Sequence, residues 1–101
     1  MNNLLLKEEH KKVLFDIFDS YCPNAEIWAY GSRVKGNAHE GSDLDLIVKS
    51  FNDDNKFLFE LKEILNESNI PFIVDIHDYD GLPSNFYPEI EKNYVVLYSK
   101  K

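Results

Sequence analysis

The sequence has a single cysteine, Cys22, in 101 residues. No disulfide can form within the chain, and neither a disulfide scaffold nor a cysteine-based zinc knuckle is available. A reducing cytoplasm is the expected compartment. Basic residues are scarce as well: 11 Lys and Arg against 18 Asp and Glu leave a formal net charge of −7, with no basic run. Clamping a nucleic-acid backbone depends on clustered Lys and Arg, so direct nucleic-acid binding is not expected. Long apolar runs are missing too. The three leucines Leu4 to Leu6 stop at Lys7-Glu8-Glu9, too short for a signal-peptide core or a membrane span, so a soluble, unprocessed protein without membrane contact is expected. No repeat, linker or low-complexity stretch breaks the chain.

What is present is the composition of an ordered globular protein: 44% hydrophobic, 14% aromatic and 29% charged. The length allows one domain, residues 1–101, with a modest core and no room for a second lobe. Leu6, Val13, Leu14, Ile17, Phe18 and Tyr21 recur at helical spacing and predict an amphipathic helix from Leu4 to Tyr21, ended by Pro23. Ala25 to Tyr30 reads as a buried strand closed by Gly31-Ser32. Residues 31–42 read as a polar loop with one helical turn at Arg33 to Lys35. Asp43 to Val48 is a second strand. Asp53 and Asp54 offer N-cap chemistry for a helix from Asn55 to Glu67, and Pro71 to His77 is a third strand. After the turn at Asp80-Gly81-Leu82-Pro83, Ser84 is placed to cap a last helix reaching Lys92, and Tyr94 to Tyr98 is extended. The order α, β, loop, β, α, β, α predicts an α/β (α+β) fold: a small mixed β-sheet with helices packed against it.

The chemistry concentrates in Gly31-Ser32, ten residues, then Asp43-Leu44-Asp45. Asp43 and Asp45 are two apart on a predicted strand, so both carboxylates leave one face while Leu44 and Leu46 point to the core. Asp75, between Val74 and Ile76, does the same on the third strand. If strands two and three are neighbours, three carboxylates converge. Oxygen-only donors of this kind suit Mg²⁺, which is completed by water and substrate phosphates. Gly31 lets backbone approach a phosphate, and the Ser32 hydroxyl and the amides after it can donate to its oxygens. Phosphate beside two metal ions, about 3.5–4 Å apart, is the arrangement for an in-line phosphoryl-type transfer.

With these residues in place the chain resembles the nucleotidyltransferases of the DNA polymerase beta superfamily, from Ala25 through Tyr98. Trp28-Ala29-Tyr30-Gly31-Ser32-Arg33-Val34-Lys35-Gly36 looks most like the minimal nucleotidyltransferases, the MNT antitoxins encoded beside HEPN ribonuclease toxins. The resemblance implies the nucleotidyltransferase fold and a transfer of AMP from ATP, with two Mg²⁺ ions, onto a tyrosine hydroxyl of the toxin, which silences it. It also implies that Asp43 and Asp45 hold both metals and that Asp75 binds the catalytic metal and helps deprotonate the acceptor. Gly31 and Ser32 would hold the triphosphate, and Arg33 and Lys35 would neutralise the departing pyrophosphate. Many relatives read Gly-Ser-x-Ala-Arg-Gly; here Val34 and Lys35 fill the last two variable places, so the cation is kept but the planar guanidinium fork is not.

Two other functions share these residues: an antitoxin that masks its toxin without catalysis, and a small-molecule nucleotidyltransferase completed by a partner chain. His77 falls on the face of Asp75, although a surface histidine is the simpler reading. His10 and His39 have no evident partner, and Trp28 and Tyr30 read as core or site lining. The aromatics Tyr79, Phe86, Tyr87, Tyr94 and Tyr98 are numerous enough that an exposed subset would suit a protein interface. A P-loop fails because Asn37 and Ala38 stand where Lys and Ser or Thr are required, and an EF-hand fails because Ile76 and Tyr87 occupy ligand positions.

Overall fold

A computed structural model describes residues 4–36, 38–39 and 41–99. The first helix, α1, spans Glu8–Tyr21 and begins after the leucines instead of at Leu4. The cause is local. Leu5 donates its N–H to the Arg33 carbonyl at 2.9 Å and accepts from the Arg33 guanidinium at 2.7 Å, which ties the segment before Lys7 to the loop after the first strand. Leu14 and Phe18, four apart, are the fully buried positions of α1, as its repeat requires. The N–H of Cys22 closes the helix on the Phe18 carbonyl at 2.8 Å, ahead of Pro23. Burial pushes the Cys22 thiol up to about 11, which makes it a core residue and not a nucleophile.

Strands β1 (Glu26–Tyr30), β2 (Leu44–Ser50), β3 (Val74–Asp78) and β4 (Tyr94–Ser99) form one mixed sheet in the order β3-β2-β1-β4. β1 is antiparallel to β2 and β4, whereas β2 and β3 run parallel. A parallel pair needs a crossover, and α3 (Leu58–Asn66) supplies it. The short α2 (Ser32–Lys35) follows β1, and α4 (Tyr87–Lys92) precedes β4. The expected fold class is the observed one.

Other ends differ from expectation as well: β3 begins at Val74, not Pro71. α3 starts at Leu58, not near Asn55, and no side chain caps it. Asp53 spends its carboxylate locally, accepting the Asn55 N–H at 3.0 Å in a turn that Asn52 enters with φ +55°. The last helix is likewise shorter than predicted: Ser84–Phe86 is a 3₁₀ turn without a side-chain cap, and α4 proper begins at Tyr87 with Pro88 in its first turn.

Alternation divides the sheet into two unequal faces. Ile27, Ala29, Leu44, Leu46, Val48 and Ile76 pack with Leu14 and Phe18 of α1 and Leu61 and Leu65 of α3. On the other face Trp28 and Ile47 meet Ile90 of α4, with Tyr30, Tyr79 and Leu82 at the margin. Asp45 alternates with Leu44 and Leu46, so it stands on this thinner side. Among the described residues no helix is long and apolar enough to cross a membrane.

Candidate active site

The parallel register sets Asp45 directly opposite Asp75, and the antiparallel register sets Asp45 opposite Tyr30. Tyr30 in turn pairs with Tyr94. The row Tyr94, Tyr30, Asp45, Asp75 therefore crosses the whole sheet, with the two carboxylates on neighbouring central and edge strands. Asp43 is exposed and sits one residue before β2 begins. Its charge still reaches Asp45, whose carboxyl is raised by burial first, then by Asp75 and Asp43, with His77 acting in the opposite sense.

Gly31 closes the site on one side. Its φ of +82° lies where L side chains rarely go, and a Cβ there would run into Oδ2 of Asp45 and stand 3.2 Å from its Cγ. Ser32 begins α2, and its hydroxyl has no hydrogen-bond partner among the described residues. The Gly-Ser pair and the Asp45–Asp75 pair, separated in sequence, are thus in contact through Gly31 and Asp45.

Arg33 is not brought to this site. Only 2% exposed, it donates from Nε and Nη2 to the Ser42 carbonyl at 3.0 and 2.8 Å and from Nη1 to the Leu5 carbonyl at 2.7 Å. Its guanidinium also lies 4.2 Å from the centre of the Phe72 ring. The expectation that Arg33 meets pyrophosphate is therefore corrected: its donors are taken by backbone carbonyls, one of them next to Asp43. Lys35 is half exposed, with Nζ 3.6 Å from Oε1 of Glu89 on α4, and remains on the Gly31 side of the site. A larger cavity, about 500 Å³, lies between α1 and α3 beside Val13, Ile17 and Ile64, but it touches none of these residues.

A family model described as polymerase beta nucleotidyltransferase matches residues 12–101. The chain belongs to the polymerase beta nucleotidyltransferase family. It is 38% identical over 98 residues to a probable protein adenylyltransferase MntA of Haemophilus influenzae, covering 95% of this chain and 85% of that relative. It also shares its fold with a crystal structure of a toxin-antitoxin with AMP-PNP, at a TM-score of 0.68 and 22% identity, over 90% of this chain and 74% of the other.

Nucleotidyltransferases of this family generally use divalent metal, and the donors present fit one. Asp43, Asp45 and Asp75 offer only oxygen, and among the described residues none of the three is paired with a lysine or arginine. The Asp45 carboxyl is raised by burial and then by the like charges of Asp75 and Asp43, and a cation would relieve the latter. Among the described residues no group of three or more His, Cys, Asp or Glu side chains is closed around one point, so Asp43 and Asp75 would have to draw in around a bound ion.

His77 has a more specific place than a surface histidine. Two residues past Asp75 on the same face, its Nε2 lies 3.1 Å from Oδ1 of Asp75, and its position opposite Ile47 keeps it over the thin side of the sheet. The strand period of two already marked it. The Arg33 clamp, in contrast, joins three segments far apart in the chain, and nothing in the local sequence announces it.

Proposed function

We propose that this chain transfers AMP from ATP, with Mg²⁺, to a tyrosine hydroxyl of a partner HEPN ribonuclease toxin in the cytoplasm, and that the modification silences the toxin. The observation that carries this reading is the in-register Asp45–Asp75 pair closed by Gly31, in a nucleotidyltransferase 38% identical to a probable protein adenylyltransferase. The toxin-antitoxin whose fold it shares agrees with the choice of partner.

In this reading Asp43 and Asp45 would hold both metal ions, and Asp75 would bind the catalytic one. Bound there, Mg²⁺ supplies positive charge to the phosphoryl oxygens as they become more negative. The chain's own residues do the positioning. The backbone at Gly31 and the free Ser32 hydroxyl receive the triphosphate, and Lys35 offers its cation to the leaving pyrophosphate. The acceptor oxygen bonds to the α-phosphorus, the bond from that phosphorus to the bridging oxygen breaks, and pyrophosphate departs with the electron pair. The acceptor proton passes to the exposed Asp75 carboxylate, which His77 meets at 3.1 Å.

Incubation with α-labelled ATP, Mg²⁺ and the HEPN toxin encoded beside it tests this. Label should appear on the toxin, and Asp45→Asn should prevent both labelling and neutralisation. A complex that forms without label, or an Asp45→Asn chain that still neutralises, would establish masking in place of catalysis.

A further inference from the structure

The parallel ladder places Asp45 against Asp75, but Asp43 lies outside it, one residue before β2, and something else must hold it near them. The Arg33 guanidinium reaches both stretches of chain that lead into these acids. Its Nε and Nη2 converge on the Ser42 carbonyl, at 3.0 and 2.8 Å, and it lies 4.2 Å from the centre of the Phe72 ring, just ahead of β3. We propose that Arg33 is a positioning residue for the metal site, which fixes the backbone of Asp43 relative to Asp75 and so prepares the carboxylates for an ion. The proposal rests on the reading of Asp43, Asp45 and Asp75 as metal ligands and adds to it what sets Asp43 in place.

Three observations carry it. The first is what the guanidinium grips. The Ser42 carbonyl belongs to the peptide that joins Ser42 to Asp43, and a peptide is planar, so holding its oxygen fixes the plane that contains the nitrogen and Cα of Asp43. A single donor would let that plane rock, whereas two N–H groups of one rigid fork restrain it. The second is that the next peptide is held as well. Leu44 donates its N–H to the Ile73 carbonyl at 2.8 Å, and Ile73 follows the Phe72 on which Arg33 rests. Asp43 is thus gripped on both sides of its Cα while its side chain stays exposed. Only side-chain rotation is left to bring that carboxylate onto an ion.

The third observation is the anchorage of Arg33 itself. Among the described residues it is the one charged side chain that is buried. Burying a guanidinium is costly unless its donors are hydrogen-bonded, and here the bonds go to backbone at the edge of the site. Nη1 donates to the Leu5 carbonyl at 2.7 Å, and the Arg33 carbonyl accepts the Leu5 N–H at 2.9 Å, so the segment before α1 locks the arginine from behind. Its backbone belongs to α2, which starts directly after Gly31, the residue that lies against the Asp45 carboxylate. One side chain therefore links the Gly31 turn, the approach to Asp43 and the approach to Asp75.

Calorimetric titration of the whole chain with Mg²⁺, read beside denaturant midpoints, tests the proposal. Arg33→Lys keeps the charge but offers Ser42 no planar fork, and it should weaken Mg²⁺ binding about tenfold or more, as loss of a group that orients a metal ligand does. In an Asp43→Asn background, where that carboxylate no longer meets the ion, Arg33→Lys should weaken Mg²⁺ binding no further. Leu65→Ala, a buried change on α3, should lower the denaturant midpoint and leave Mg²⁺ affinity at the parent level, which separates positioning from general loosening. Where circular dichroism shows that Arg33→Lys does not fold, Phe72→Leu, which takes the ring from the guanidinium, carries the same comparison and should weaken Mg²⁺ in the same sense. Parent-level Mg²⁺ affinity in the folded variant overturns the proposal. So does an equal loss with Asp43→Asn already present, or an equal loss in Leu65→Ala. A parent chain that binds no Mg²⁺ overturns instead the reading of the three carboxylates as metal ligands.

Discussion

Asp45 on β2 and Asp75 on β3 occupy matched positions of a parallel ladder. Side chains at matched positions leave the same face, so these two carboxylates are held together by the backbone and not by any attraction between them. Like charges set directly across neighbouring strands oppose folding. What overrides them is the opposite face, where the flanking Leu44, Leu46 and Ile76 are fully buried and Val74 packs against the same core. The hydrophobic alternation that builds the core thereby fixes the acidic pair, at a cost in stability.

Asp45→Asn should stabilise the metal-free protein while abolishing transfer. The Asp45 carboxyl is raised from 3.8 by burial, Asp75 and Asp43. A raised carboxyl is protonated and harmless in the native state at low pH, and stability is lost as pH rises through its native value and the charge is forced beside its neighbours. The variant should therefore melt a few degrees higher than the parent at neutral pH and no differently at about pH 3. Melting curves across pH, without metal, check this. Transfer should fall by about 10²-fold or more. A variant that is less stable at neutral pH would refute the argument from like charge.

Metal should act on the same residues. Mg²⁺ added without nucleotide should raise the melting temperature of the parent chain. Ligand at 100 times its dissociation constant contributes about 2.7 kcal/mol to a native state that alone binds it. Asp45→Asn and Asp75→Asn should each remove most of that rise, and a chelator should reverse it. An equal rise in parent and variants would place the ion elsewhere.

Much of this site was legible in the sequence because strands obey a period of two. Asp43, Asp45, Asp75 and His77 could be assigned to faces from their apolar neighbours, and only the adjacency of β2 and β3 had to come from the fold. The helix ends were less legible. Asp53 looks like a cap yet spends its carboxylate on Asn55, and Leu4 to Leu6 look helical yet are drawn off by Arg33. The family resemblance alone assigns Arg33 to the pyrophosphate. Its partners, Leu5, Ser42 and Phe72, lie 28, 9 and 39 positions away, beyond the reach of any local pattern.

Gly31→Ala should damage the site more than the fold. The φ of +82° makes any side chain strained, and the new Cβ would displace the Asp45 carboxylate. A destabilisation of about 1–3 kcal/mol is expected from the backbone, measured as a lower urea midpoint. The Mg²⁺-dependent rise in melting temperature should shrink as well, because Asp45 has moved. Full retention of that rise would show that Gly31 does not set the position of Asp45.

Arg33 and Lys35, two residues apart, should behave in opposite ways. Arg33→Ala leaves the Ser42 and Leu5 carbonyls without their donor and empties a buried volume, so a loss of about 2–4 kcal/mol is expected. Arg33→Lys should recover only part of it, because one ammonium cannot reproduce the planar fork. Lys35→Ala loses only a surface ion pair, worth less than about 1 kcal/mol, and should leave stability nearly unchanged while raising KM for ATP. Denaturant midpoints beside ATP kinetics would separate them. An Arg33→Ala chain of normal stability and raised KM would restore Arg33 to the phosphates.

Alkali should unfold the protein through its tyrosines. Tyr30 is pushed up from 10.0 to about 12 by burial, then by Asp45 and Asp75. Tyr98 is also pushed up, by burial and by its hydrogen bond to Asp19. A raised phenol is neutral in the fold and ionises more easily once unfolded. Its contribution is fully present below pH 10 and is lost as pH rises through the native value, so stability should fall across pH 10 to 12. Tyrosinate absorbance and far-ultraviolet circular dichroism, followed together, should change in one step above pH 10. Tyr30→Phe, which keeps the ring and removes the ionising group, should move that step to higher pH. Tyrosines that all titrate near 10 while the helical signal stays intact would show that Tyr30 and Tyr98 are not held neutral by the fold.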